Sequence, residues 1–176
     1  MTPSPEEFRA IVDDYIREHR ERAARGMRFY AIQRTLADAV DIAARCVLPS
    51  GKKHDHQYRI PPESLDEARA RLIAVDLGVW RSFDELHAKV NATIRDIHMI
   101  GALVVYDVSH RIGAFLKLEP ERVYLHRGTR DGALALGLGR GRESIELAEL
   151  PEAFHQLSAA EAEDCLCIYK KRLGAR

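Results

Sequence analysis

Two stretches of this sequence gather side chains able to bind anions or metal ions. The first is Gly51-Lys52-Lys53-His54-Asp55-His56-Gln57-Tyr58-Arg59. His54, Asp55 and His56 offer two imidazoles and a carboxylate, donors that suit zinc or another borderline metal. A closed metal site needs three or four ligands at fixed geometry, so neither a metal nor any other cofactor is assigned. Lys52, Lys53 and Arg59 suit phosphate instead, with Tyr58 beside them to stack on a base or sugar. A solvated surface loop accounts for the same residues, and all three readings stand open. The second stretch is His126-Arg127-Gly128-Thr129-Arg130-Asp131-Gly132, at the start of an expected helix through Ala133, Leu134 and Leu136. A helix start presents unpaired N–H donors and the positive end of the dipole, so His126, Arg127, Thr129 and Arg130 form an anion-binding candidate. Thr129 as an ordinary cap, with Gly128 making the turn, is the equal alternative.

A third group, Tyr106, Asp107, His110 and Arg111, sits at helical spacing. Asp107 and Arg111 are four apart and can pair on one face, and His110 lies one turn from Tyr106. A helix-surface ion pair beside a satisfied core histidine explains them; proton transfer by Asp107 and His110 is the enzymatic alternative.

The elements that must position these groups are helices. Ser4-Pro5-Glu6-Glu7 combines a cap, a proline at the first helical position and a glutamate at the third. The helix it starts buries Phe8, Ile11, Val12, Tyr15 and Ile16 and is expected to end at Gly26. A second helix carries Phe29, Ile32, Leu36, Val40 and Ala43 and stops before Leu48-Pro49-Ser50-Gly51. Pro61 and Pro62 start a third, with Leu65, Ala68, Leu72 and Val75 inward, and Trp80 plugs the junction that follows. Ser82 and Glu85 have capping-box spacing, after which Phe83, Leu86, Val90, Ile94 and Ile97 form one apolar face. Ile97-His98-Met99-Ile100-Gly101 interrupts that face, and Val104, Val105, Val108, Ile112 and Phe115 resume it. Ser144–Leu147 alternates and pairs in expectation with Val123–Leu125. Ser158 and Glu161 cap the last helix, which buries Ala162, Cys165, Leu166, Tyr169 and Leu173.

Composition bounds the rest. With 176 residues, 46% apolar and 31% charged, the chain is expected to form one domain over residues 1–176. Net charge is zero and the pI is about 7.1, so no global field draws it to nucleic acid or an anionic membrane, and any such contact is local. No apolar run is long enough to cross a bilayer and the N-terminus lacks a signal-peptide core, so a cytoplasmic location without membrane contact is expected. Cys46, Cys165 and Cys167 are expected to be reduced. Arg122–Arg142 holds five arginines against one aspartate, whereas Glu143–Asp164 holds seven acids and no lysine or arginine. The two segments either neutralise each other or present a basic and an acidic face.

The residues around Gly101 resemble the helix-hairpin-helix motif of nucleic-acid-binding proteins, in which backbone N–H groups of a glycine-containing hairpin hold a phosphate. Ile97, Ile100 and Gly101 fit that pattern, and Met99 stands at the place of its first glycine. Over about residues 80–131 the chain also resembles helix-hairpin-helix DNA glycosylases, with the motif itself at about 82–116. Tyr124 would occupy the position of the family's catalytic aspartate and Leu103 that of the lyase lysine, so glycosylase chemistry is not implied. Nor do three cysteines match the family's four-cysteine iron–sulfur cluster.

The expected fold is therefore mainly α: a compact domain of about seven or eight helices around this central element, with at most one short β ribbon. Its expected core comprises Phe8, Val12, Ile32, Leu36, Leu72, Leu86, Val90, Ile94, Val108, Ile112, Leu166 and Tyr169. The leading functional expectation is nucleic-acid binding through Lys52, Lys53, Arg59, Gly101, His126, Arg127, Thr129 and Arg130. A metal- or phosphate-dependent enzyme acting on a small polar substrate is one alternative. An interaction protein, meeting a partner or a second copy of itself, is the other.

Overall fold

A computed structural model describes residues 3–54 and 57–174. Among the described residues the fold is mainly helical, with one two-stranded antiparallel ribbon. The chain divides into two compact units: residues 24–119, and residues 1–23 together with 120–176. Each has its own apolar core.

The continuous unit contains α3 (Leu36–Ala44), α4 (Pro62–Ala74), α5 (Phe83–Ile94) and α6 (Ala102–Leu116). Each helix starts where a local signal directs it. Thr35 Oγ1 accepts the Asp38 N–H at 3.1 Å, Ser82 Oγ accepts the Glu85 N–H at 3.3 Å, and Pro62 stands at the first position of α4. The core is formed by Val40 and Ala43 from α3, Leu65, Ala68 and Leu72 from α4, Leu86, Val90 and Ile94 from α5, and Val105, Val108 and Ile112 from α6. Trp80 packs half-buried against it.

The discontinuous unit opens with α1 (Pro5–Tyr15), whose Ser4 and Glu7 make a reciprocal capping box. A π-helical turn, Ile16–Arg20, follows and leads into α2 (Glu21–Ala31), which holds the boundary between the units. Beyond residue 119 come β1 (Val123–Tyr124), α7 (Arg127–Ala135), β2 (Ser144–Ile145), two 3-10 turns, and α8 (Ala159–Gly174). The ribbon pairs Val123 with Ile145 and Tyr124 with Ser144, in agreement with the alternation read from the sequence. Phe8, Ile11 and Val12 of α1 share a core with Phe154, Ala162, Cys165 and Leu166.

α7 and α8 approach at backbone distance. A Cβ on Gly132 would overlap the Leu166 carbonyl oxygen, so only glycine fits this crossing. α7 then ends in a Schellman turn: Gly137, at φ 75°, donates to Leu134 O at 3.0 Å, and Leu138 donates to Ala133 O at 2.9 Å.

The early helices differ from the sequence expectation. Gly26 does not end a helix: α2 runs through it to Ala31, since one interior glycine costs only about 1 kcal/mol relative to alanine. The break falls instead at 32–35, where the Thr35 cap starts a new helix and sets its phase. Ile32 consequently leaves the expected core and is 76% exposed, while Leu36 is half-buried. The other ten expected core residues are buried. Among the described residues no helix is long and apolar enough to cross a membrane.

Substituting Gly132→Ala should destabilise the fold by about 1–3 kcal/mol, because the added methyl must displace the α8 backbone. Urea unfolding read by circular dichroism measures this; an unchanged midpoint would mean that the two helices are free to separate.

Candidate functional site

The turn between α5 and α6 is built by two buried anchors and a left-handed residue. Ile97 and Ile100 are 5% and 2% exposed and fix the turn to the core of the continuous unit. Between them Met99 takes φ 63°, a conformation that L side chains adopt at a cost, and it is 49% exposed. Gly101 is the residue preceding α6, with extended backbone at φ −95° and ψ 177°. It supplies no side-chain cap, the first turn of α6 carries no acid, and a Cβ added at Gly101 would meet nothing within 4 Å. The amide groups at the start of α6 thus lie at an uncapped helix end beside open space, the arrangement that favours an anion. Arg95, exposed at the end of α5, donates from Nη1 to Ile100 O at 2.8 Å and brings a positive charge to the same turn. His98 is exposed beside Met99.

The loop before α4 folds over the other half of α6. Arg111 is 5% exposed, and its Nη2 reaches Gln57 Oε1 at 3.3 Å and Asp107 Oδ2 at 3.4 Å. Gln57 is fully buried and donates to Asp107 from its amide nitrogen. The guanidinium lies 5.7 Å over the Tyr30 ring. Burial disfavours charge on Arg111, but Asp107, then Cys46 and Tyr30, hold its pKa above the ordinary value. Burial pushes the Cys46 thiol up although Arg111 pulls it down, so this is an inert, protonated sulfur. Tyr30 gives its hydroxyl proton to Val47 O at 2.7 Å, which leaves His54 Nε2 at 3.1 Å as the donor to Tyr30 Oη. Asp55 and His56 lie outside the described residues, and among the described residues no group of three potential ligands could hold a metal ion.

Of the basic loop residues, Lys53 donates to Ile60 O at 3.2 Å, and Arg59 donates from Nε to Tyr58 Oη at 2.7 Å and lies 5.4 Å over that ring. Lys52 is exposed. Asp107 and His110 do not form one site. Asp107 belongs to the Gln57–Arg111 network, whereas His110 Nε2 lies 3.6 Å from Glu119, whose carboxyl the His110 bond pulls down.

In the discontinuous unit, the α7 start is largely committed to internal bonds. His126 Nε2 lies 2.5 Å from Glu163 Oε1 on α8, and fully buried Thr129 donates its hydroxyl to the same carboxylate oxygen. Arg130 spans two carbonyls, Arg142 O and Leu125 O, both at 2.8 Å. His126, Thr129 and Arg130 therefore hold the fold, and Arg127 is the exposed member of the predicted set. Thr129 is not the cap that the sequence suggested: the residue preceding α7 is His126. The segregated charges partly neutralise each other, since Arg142 grips Glu149 through two bonds of 2.6 and 2.8 Å and holds its carboxyl down at about 2.

Sequence reasoning missed a polar seam between α1 and α8. Tyr15 donates to Asp164 at 3.2 Å, Tyr169 donates to Asp14 at 3.0 Å, and Arg20 forks onto Glu161 at 2.7 and 3.1 Å. His19, in the π turn, stacks on Tyr15 with its centroid 5.9 Å away. The only sequence signal was a set of aromatic and acidic residues on two helix faces, separated by about 150 positions. Comparison with known protein families, with curated proteins and with solved structures gave no match.

Burial, followed by the charge of Glu163, raises the pKa of Asp164 against the lowering effects of Tyr15, His19 and Arg22. A folded-state value above the unfolded one means that the protonated acid favours folding at low pH and that this contribution is lost as pH rises through the folded value. Asp164→Asn retains an acceptor for Tyr15 and removes the charge. The variant should melt above the parent at pH 7, with the difference closing near pH 3; scanning calorimetry at both values tests the sign.

Proposed function

We propose that this chain binds nucleic acid by holding a backbone phosphate at the turn between α5 and α6. The observation that carries the reading is the backbone of Ile97–Gly101: two buried isoleucines, a left-handed residue at position 99, and an uncapped glycine at the start of a fifteen-residue helix. Met99 adopts the conformation that glycine would supply in a helix-hairpin-helix, so the side chain at this position does not prevent the turn. Arg95 adds a cation fixed to the same turn. Each phosphate neutralised in this way releases condensed counterions, so binding is local, moderate and salt-sensitive despite zero net charge.

The residues of the α7 start support this reading less, because His126, Thr129 and Arg130 already satisfy one another, Glu163 and main-chain carbonyls. Lys53 and Arg59 have internal partners as well. The proposal therefore rests on backbone donors in one turn rather than on a wide basic surface.

Gly101→Glu tests it cleanly. The backbone there is open to any residue, the added side chain enters empty space, and an acid at a helix start favours folding, so the melting temperature should hold or rise slightly. The carboxylate would occupy the place of the phosphate, and affinity for a fluorescent DNA duplex at low salt should fall about tenfold, the loss of one charge-assisted contact. Anisotropy titration reads the change. Unaltered affinity in the folded variant, or no binding by the parent at tens of micromolar protein, would refute the proposal.

A further inference from the structure

The break between α2 and α3 leaves a cleft of about 380 Å³ in the continuous unit, lined by Gln33, Arg34, Thr35, Asp38, Asp41 and Ile42. That volume suits a small molecule. Part of the polar wall is committed to the fold. Thr35 Oγ1 donates to Asp38 Oδ2 at 2.8 Å and accepts the Asp38 N–H at 3.1 Å, so the start of α3 is already capped. Gln33 Nε2 donates to Phe29 O at 2.6 Å. Arg69 donates to Asp41 Oδ1, and Arg45 lies 3.6 Å from that oxygen and 3.6 Å from Asp66. The rest of the wall is uncommitted. The guanidinium of Arg34 makes no hydrogen bond or ion pair with any described residue, and Asp38 Oδ1, Asp41 Oδ2 and Gln33 Oε1 accept no hydrogen bond from one.

We propose that this cleft binds a small zwitterion of the α-amino-acid class with an apolar side chain. The charges in and around it balance, with Arg34, Arg45 and Arg69 against Asp38, Asp41 and Asp66. A ligand of one sign therefore meets repulsion as well as attraction, whereas a ligand carrying both signs can set each against its opposite. A primary ammonium has three N–H donors, and Asp38 Oδ1, Asp41 Oδ2 and Gln33 Oε1 supply three acceptors. Asp38 and Asp41 stand three apart on α3, so their carboxylates share a face of the helix. The ligand carboxylate pairs with Arg34, whose planar fork matches two oxygens. Half-buried Ile42 is the apolar member of the lining and takes the ligand side chain. Nothing at the α5–α6 turn is required for this binding.

The isotope-labelled full chain is titrated by NMR with three probes: leucine, N-acetyl-leucine, which lacks the ammonium, and leucinamide, which lacks the carboxylate. Leucine should shift the amide signals of Gln33, Thr35, Asp38 and Ile42 and saturate with a dissociation constant of about 1 mM. Each blocked probe should bind about tenfold more weakly, for the loss of one charge-assisted contact. Arg34→Gln should weaken leucine about tenfold and leave leucinamide unchanged, because leucinamide has no carboxylate to lose. Asp38→Asn keeps an acceptor for the Thr35 hydroxyl; it should weaken leucine and leave N-acetyl-leucine unchanged. If that variant melts below the parent, Arg34→Gln, which breaks no bond to a described residue, carries the test alone. Absence of shifts at these amides with about 20 mM leucine overturns the proposal. So does equal binding of all three probes, or a loss on blocking one end only, which would make the cleft a simple anion or cation site.

Discussion

A charge taken out of water has to be met by partners inside the protein, and in the continuous unit that requirement falls on Arg111. Its guanidinium is met through Nη2 by Asp107 on its own helix and by Gln57 from the loop before α4, and it lies over the face of Tyr30 from α2. Removing a buried charge from its partners costs several kcal/mol, so these segments are held in one arrangement. The helix so pinned is α6, whose first turn forms the phosphate-binding candidate. Its position is thus set from two ends: by apolar anchors at Ile97 and Ile100, and by an electrostatic anchor three turns further on.

The discontinuous unit meets the same constraint with a different set of groups. Glu163 is 8% exposed and receives both His126 and Thr129, and this polar contact lies in a helix crossing close enough to require glycine at 132. Groups that a sequence scan marks as an anion-binding surface are here turned inward, because the nearest anion is a carboxylate of the protein itself. The difference between a ligand site and a structural lock is the origin of the negative charge.

Local signals were legible in the sequence. Ser4 with Glu7, Ser82 with Glu85 and Ser158 with Glu161 each mark a helix start, since a cap involves residues only three apart. The faces of α5 and α6 followed from their 3.6-residue period, and the short ribbon from alternation. Long-range pairing was not legible. Nothing around Thr129 indicates that Glu163 will face it, and nothing around Gln57 indicates that it will be buried between Asp107 and Arg111. Ile32 misled because its spacing continues that of Leu36 and Val40, whereas the break at Thr35 resets the helical phase. The π turn at 16–20 has no compositional mark; it inserts a residue where Tyr15 and Arg20 both engage α8.

The two units have different histories on a chain that is made from one end. Every residue of the core containing Val90 and Ile112 has been synthesised by the time Glu119 is added, so that unit can consolidate while the remainder is still being made. α1 is in the opposite position. Phe8, Ile11 and Val12 are made before the continuous unit, whereas their partners Phe154, Ala162, Cys165 and Leu166 are made after it, with that entire unit inserted between them. Until then an eleven-residue helix, too short to be stable alone, carries its apolar stripe uncovered. This helix is made before the inserted unit and covered after it, and the interval is the time needed to translate the residues between Val12 and α8.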